Sequence, residues 1–300
     1  MAIADAHCHF FSSGFFAALG REASAPDDAP VALPASLGWD PPGTDEALAD
    51  RWVAELDRHG VSRAMLIASV PGDEGSVATA VRAHPSRFVG AFMFNPAVPH
   101  AEARLDHAFG ELNLSTVCLF PAMHHIGPDD AAAVRVFAAA ERYGRAVFVH
   151  CGLLSIGVRA KLGLANRFDM RHGDPLAVAA IAVRYPDVPV IIPHFGAGFF
   201  RATLMAAAAA PNILVDTSSS NSWIKFHPGL TLRDVWSRAI DCLGPTRVLF
   251  GTDSSFFPRG WQRPLFDQQT AVLDGLGADS GARAAIFGGN FGRIFPPSVS

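Results

Sequence analysis

Twelve histidines are spread over 300 residues, and two of them open the chain at a spacing that can do chemistry. In Asp5-Ala6-His7-Cys8-His9-Phe10, a β-strand would turn successive side chains to opposite faces. His7 and His9 then project together, while Ala6, Cys8 and Phe10 face the other way. Two imidazoles on one face are half of a metal site. Imidazole suits zinc, iron and nickel, and a catalytic centre adds one or two His or carboxylate ligands and keeps one position open. Taken alone, a His-x-His is more often a chance or surface pair, so its meaning depends on what positions the remaining ligands.

Near-continuous apolar runs recur along the chain. Arg63–Ser69, Phe88–Phe94, Thr116–Phe120, Ala146–His150, Val188–His194, Ile213–Thr217 and Arg247–Thr252 read as further strands, buried on both faces. Helical stretches separate them. One starts at Thr44, carries Leu48, Trp52, Val53 and Leu56 on one face and stops at Gly60, with Thr44 as its cap. Eight strands alternating with helices predict a (β/α)8 TIM barrel as a single domain over residues 1–300. An open doubly wound sheet has little support, because no Gly-x-Gly-x-x-Gly follows an early strand. Residues 11–43 are rich in Pro, Ala, Gly and Ser and show no period. They are expected to be a lid loop over the active face, where Phe11, Phe15, Phe16 and Trp39 either cover a substrate or pin the loop to the core.

A barrel places working residues at the C-terminal ends of its strands. His7 and His9 end the first strand, His150 the fifth, His194 the sixth and Asp253 the eighth. Singly, each could be a hydrogen-bonded structural residue or a helix cap; together they point to a metal site. A divalent ion there would lower the pKa of a bound water from about 15.7 toward roughly 7 and polarise a carbonyl oxygen. Asp253 could take the proton from that water, and His194 could steady an oxyanion or pass a proton on.

The pattern Asp5-Ala6-His7-Cys8-His9, His150, His194 and Gly251-Thr252-Asp253 resembles the amidohydrolase superfamily. Within it the chain is most similar to the amidohydrolase-2 branch of decarboxylases and lactonases. Arg87-Phe88-Val89-Gly90-Ala91 and Gly289-Asn290-Phe291-Gly292-Arg293 support the match. The resemblance implies that His7, His9, His150 and Asp253 hold one divalent metal, zinc first and manganese second. It also implies that His194 serves beside it as acid or base, or as a further ligand. Binuclear members carry a lysine at the end of strand four; Thr116-Val117-Cys118-Leu119-Phe120-Pro121 has none, so a single ion is expected. Dimers are common in this branch, which makes a homodimer the expected assembly.

Substrate groups are sought among basic and aromatic residues near the active face. Arg201, seven residues past His194, resembles an arginine that relatives use on a carboxylate. Arg259 is a second candidate fork, with Trp261 as a ring platform. For each arginine a structural ion pair is an equal alternative. His124 and His125 follow strand four, and Asn221 and Trp223 follow strand seven.

Half of the residues are apolar and the net charge is −4, which describes a globular protein with a large core and no nucleic-acid partner. The apolar stretches are too short to span a membrane and no signal peptide is visible, so a cytoplasmic location is expected. Cys8, Cys118, Cys151 and Cys242 show no paired spacing and are expected to be thiols, mostly buried. Three functions follow in order: a mononuclear metal-dependent hydrolase of a small cyclic or aromatic carboxylated compound; a non-oxidative decarboxylase of an aromatic or unsaturated acid; and a non-catalytic binding barrel. The hydrolase is placed first because no basic cluster matches a decarboxylase's carboxylate grip.

Overall fold

Strand alternation and burial on both faces produce the expected barrel. The strands are β1 Ile3–Phe10, β2 Val61–Ala68, β3 Phe88–Phe94, β4 Thr116–Leu119, β5 Ala146–Val149, β6 Val190–Ile192, β7 Ile213–Asp216 and β8 Val248–Leu249. All are parallel and pair in sequence order, with helices between them. This computed structural model describes residues 2–25, 28–218 and 222–297. Met65, Ile67, Met93, Cys118 and Phe148 fill the barrel; their neighbours Leu66, Phe92, Val117 and Val147 pack outward under the helices. None of the helices among the described residues is long and apolar enough to cross a membrane.

β8 is shorter than expected because the chain leaves regular strand geometry after Leu249. It closes the barrel all the same. Ala6 N donates to Phe250 O at 2.8 Å, Asp253 N to His7 O at 2.9 Å and His9 N to Ser254 O at 2.7 Å. These bonds lay the end of the last strand against the histidine pair of the first.

β1 also departs from strict alternation. Asp5 pairs with Ala64 and Cys8 with Leu66, so Ala6 and His7 together oppose Met65. Such a bulge shifts the phase of the side chains. Ala4 and Ala6 lie in the inner layer, whereas Cys8 and Phe10 lie in the outer one. Ala6 therefore does not share a face with Cys8 and Phe10. The extra residue lets β1 fill the barrel with alanines below and still turn His7 and His9 inward above.

Residues 11–43 are not a structureless loop. They form α1 (Ser13–Glu22) and α2 (Ala29–Ser36). Ser12 caps α1, its Oγ accepting from Phe15 N at 2.9 Å. Phe15, Phe16 and Leu19 then bury one face of α1 against Trp39. The helical period is hard to read because both helices are short and α2 carries a proline in its interior, Pro34. The next helix, α3 (Asp45–Arg58), starts where expected, with Thr44 Oγ1 accepting from Ala47 N at 3.2 Å.

Asp73 clasps the start of α1. Its Oδ2 accepts from Ser12 Oγ at 2.6 Å and from Ser76 Oγ at 2.9 Å. A Cβ at Gly14 would lie 2.2 Å from Asp73 Oδ1, so the approach requires glycine. Burial pushes this carboxyl up to about 6 against those hydrogen bonds, with Asp45 and Glu74 adding repulsion. An acid raised in the native state binds its proton more tightly folded than unfolded. Its stabilising effect is present below the unfolded value of about 4 and is lost as pH rises through about 6. Asp73→Asn should therefore become more stable than the parent by a margin that grows across this window and then levels off, reaching about 3 kcal/mol. Urea unfolding at a series of pH values reads the margin; one that shrinks with rising pH contradicts the raised carboxyl.

Candidate metal centre and active-site cavity

Three side chains converge at the C-terminal mouth of the barrel. His9 Nε2 lies 3.0 Å from Asp253 Oδ1, His7 Nε2 lies 3.7 Å from the same oxygen, and the two Nε2 atoms are 3.3 Å apart. The opposite nitrogens are held from behind. His7 Nδ1 is 2.9 Å from Asp216 Oδ2. His9 Nδ1 is 2.7 Å from Ser69 Oγ, whose hydroxyl donates to Ile67 O at 2.9 Å. Ser69 must then accept from His9, and Asp216 can only accept from His7, so each neutral ring carries its hydrogen on Nδ1. Two imidazole lone pairs and a carboxylate oxygen are left facing one another with no proton among them.

Such a convergence of acceptors is stable only around a cation, and this donor set suits a divalent metal. Burial disfavours charge on His7, yet Asp216, Asp253 and Asp5 together raise it. A proton on His7 is thus the alternative occupant, and metal binding would release it. Burial lowers His9, against the pull of Asp253. Burial alone would raise Asp253, but His9, His7 and His194 hold it well below the usual carboxylate range.

Asp216, at the end of β7, went unnoticed in the sequence, although a charged residue closing the apolar run Ile213-Leu214-Val215 was a signal. It is fully buried. Besides His7 it accepts from His194 N at 3.2 Å and Ser218 N at 2.8 Å, and Ser218 Oγ donates to it as well. His7, His194 and Asp216 also stand close enough to form a second potential ligand group among the described residues. Asp216 is already committed to these hydrogen bonds, so its part is to position the two rings.

His194 and Asp253 both sit in the left-handed region, with φ of 56° and 60°. Non-glycine residues reach it only under constraint from their surroundings. β6 accordingly ends at Ile192, short of the expected His194, and the chain turns tightly through Pro193–Gly196. The turn swings His194 into the mouth. Its Nδ1 lies 2.7 Å from Ser218 O, a pure acceptor, which leaves Nε2 as the free acceptor of a neutral ring. His150 stands apart from the converging trio. It lines the same cavity, edge-on to His194 with centroids 5.2 Å apart, and its Nδ1 is buried with no hydrogen-bond partner among the described residues. Burial, then His194 and His7, depress it well below the usual imidazole range.

A cavity of about 380 Å³ opens above these groups. Phe11, Phe15, Trp39, Phe120 and Phe256 contribute its aromatic walls. Trp39 stacks on Phe256 at 3.9 Å between centroids, tying the α1–α2 segment to the loop after β8. Arg259 and Lys161 also line it. Arg259 lies over Phe256 and donates to Ser255 Oγ at 2.6 Å; Lys161 Nζ sits 5.4 Å from the Trp39 ring centre. Lys161 was not anticipated, because its strand-five loop reads as ordinary surface.

Two expected substrate groups lie elsewhere. Arg201 is exposed on the helix Phe200–Ala209 and does not line the cavity. The tight turn at His194 is followed at once by this helix, which carries Arg201 to the outside. Trp261 is no platform for a substrate. It is 2 % exposed, and its Nε1 donates to Asp5 Oδ2 at 2.7 Å. Asp5 also receives Thr252 Oγ1 at 2.6 Å, so this carboxylate fastens the end of β8 to β1 beneath the cluster. Trp261→Phe should cost about 1–3 kcal/mol by removing one of the hydrogen bonds to a buried carboxylate and leave KM unchanged. Thermal unfolding and steady-state kinetics check the two halves; a raised KM restores the substrate role.

His125 turns away to Arg167 O at 3.0 Å, and His124, pushed down to about 4 by burial, lies outside the cavity. Trp223 is buried against Phe200 and His227. Asn221 lies outside the described residues. Cys8, Cys118 and Cys151 are buried thiols, while Cys242 is exposed.

Comparison with known proteins places this architecture. No curated protein matches the chain, but solved structures do. The 5-carboxyvanillate decarboxylase from Sphingomonas paucimobilis is similar over 98% of both chains at 19% identity, with a TM-score of 0.65. The 5-carboxyvanillate decarboxylase from Novosphingobium aromaticivorans, in complex with manganese and 4-hydroxy-3-methoxy-5-nitrobenzoic acid, matches over 98% of this chain and 96% of its own. Its identity is 16% and its TM-score 0.64. An amidohydrolase from Burkholderia multivorans with bound zinc matches over 98% and 99% at 14% identity, TM-score 0.63. At these identities the likeness is one of fold. The family itself is shown by sequence: the amidohydrolase family matches residues 4–296. Nearly the whole chain, from the first inward alanine of β1 to residue 296, thus belongs to the amidohydrolase family, whose metal-dependent enzymes are hydrolases and carboxy-lyases.

Proposed function

We propose that the protein is a carboxy-lyase that removes carbon dioxide, without oxidation, from an aromatic or unsaturated acid. The observation that carries this reading is the cavity: aromatic walls and two cations, Arg259 and Lys161, above a converging His7–His9–Asp253 floor. The want of a basic cluster is what favours the hydrolase in the sequence, and the cavity adds Lys161 to the Arg259 already expected there. Two of the similar solved structures are decarboxylases of an aromatic acid, which supports the same order.

His7, His9 and Asp253 would hold one divalent ion, with His150 on its flank, zinc being the first choice and manganese the second. Bound there, the ion supplies Lewis-acid polarisation of a substrate oxygen. The aromatic walls take a planar ring, and Arg259 or Lys161 takes an acidic group pointing away from the floor. Loss of carbon dioxide breaks a carbon–carbon bond and leaves the electron pair on the ring carbon. His194 Nε2, an acceptor on the cavity side, would first take up a proton, from the substrate's acidic group or from solvent, and then pass it to this carbon. A hydrolase remains the second reading, favoured by the Asp253 carboxylate, which reaches the cavity as a base for water.

The test is a product assay with zinc- or manganese-loaded protein and a panel of hydroxybenzoates, unsaturated dicarboxylates and lactones in oxygen-labelled water. Carbon dioxide release without label in the organic product is expected. New carboxylate carrying the label would replace this reading with the hydrolase.

A further inference from the structure

A second polar cavity, of about 300 Å³, opens at the opposite end of the barrel, where the strands begin. Arg63 of β2 and Arg145, just before β5, line it together with Asn113 and Ser115. No acidic side chain among the described residues lines it. Arg63 shares the inward phase of Met65 and Ile67. Its Nη1 donates to Phe295 O at 2.7 Å and its guanidinium covers the Phe291 ring at 5.1 Å. Arg145 Nη2 donates to Asn113 Oδ1 at 2.6 Å and Phe109 O at 3.2 Å. Every one of these partners is neutral.

Two further groups are left wanting. Arg145 Nε is buried with no partner among the described residues, and so is Thr116 Oγ1. Thr116 lies between cavity-lining neighbours, following Ser115 in the chain and pairing with Ala146 across β4 and β5. Burial lowers both arginines. Each half-buried guanidinium meets only neutral oxygens within the protein, and an oxyanion in the cavity would add the charge-assisted hydrogen bonds that these partners do not supply.

We propose that this cavity is a binding site for a small oxyanion, a phosphate or a carboxylate, held between Arg63 and Arg145 and separate from the metal centre. The site does not depend on which reaction the barrel catalyses. Phe88, Val89 and Ile294 on its wall give a short apolar tail a place to lie, so a carboxylate would gain a contact that bare phosphate lacks.

The experiment is isothermal titration of the metal-loaded protein with inorganic phosphate and, separately, with butyrate. At least one should bind, and R63Q/R145Q should weaken it about tenfold or more, the scale of one lost charge-assisted bond. Arg201→Gln, exposed on the outside of the barrel and lining neither cavity, should bind as the parent does. Phosphate binding alone identifies a phosphate site; butyrate binding alone identifies a carboxylate site. If the paired variant does not fold by circular dichroism, Arg145→Gln alone should weaken binding in the same direction, since the Arg63–Phe295 bond stays intact. Absence of binding to the parent, equal binding to the Arg63 and Arg145 variants, or loss of binding in Arg201→Gln would each overturn the proposal.

Discussion

Asp253→Asn should lower turnover by about 10²–10⁴-fold, the scale of a positioned proton-transfer group, and added metal should not restore it. Asparagine keeps the shape and tolerates the left-handed φ of 60°, and the backbone bond from residue 253 to His7 O is untouched. What changes is the charge and the donor pattern at the floor of the cavity. The parent carboxylate oxygen lies 3.0 Å from His9 Nε2, so a cation can be shared between them. An amide turned about can instead offer its NH₂ to that nitrogen and satisfy the lone pair without any metal. Kinetics at rising zinc or manganese, with metal content measured alongside, check this. Undiminished turnover with normal metal content would remove Asp253 from the working groups under both the carboxy-lyase and the hydrolase readings.

Asp216→Asn should act one step back. Its expected effect is a loss of metal affinity of about 10–100-fold, the usual cost of a lost partner behind a metal-binding histidine, with kcat largely recovered at saturating metal. Asp216 accepts from His7 Nδ1 at 2.9 Å and so keeps the Nε2 lone pair aimed into the cluster. An asparagine there can donate to Nδ1, which moves the ring hydrogen to Nε2, where the cation should sit. The same residue accepts from the backbone of His194 and Ser218, so the set of His194 is loosened too. Competition with a chelator of known affinity measures the first effect, and turnover against free metal measures the second. Unchanged affinity would mean that Asp216 serves folding alone.

The contrast between these two residues shows where reading the chain stops. Asp253 was legible because it closes a strand in a Gly-Thr-Asp run and completes a pattern with three histidines. Asp216 closes a strand as well, but its carboxylate works through His7, 209 residues away in the chain, and no local spacing marks that partner. Trp261 looked like a ring platform because it follows Arg259 in a loop of the active face. The fold buries it instead, because Asp5 beneath the cluster needs its indole N–H. Arg201 was misplaced for a similar reason: β6 ends at Ile192, two residues before the expected His194, and the helix Phe200–Ala209 that follows the turn carries the side chain to solvent.

By itself the sequence determined the barrel and the strand ends that carry its chemistry. Eight doubly buried strands have few ways to alternate with helices, and a parallel barrel puts the ends of all of them on one face. The tertiary structure decided the rest. It set the inward turn of His7 and His9 through a bulge in β1, the tautomers imposed by Asp216 and Ser69, the left-handed backbone that delivers His194 and Asp253, and the pairing of Lys161 with Arg259 around one cavity. Each depends on contacts between residues far apart in the chain, whose distances are set only when the barrel closes.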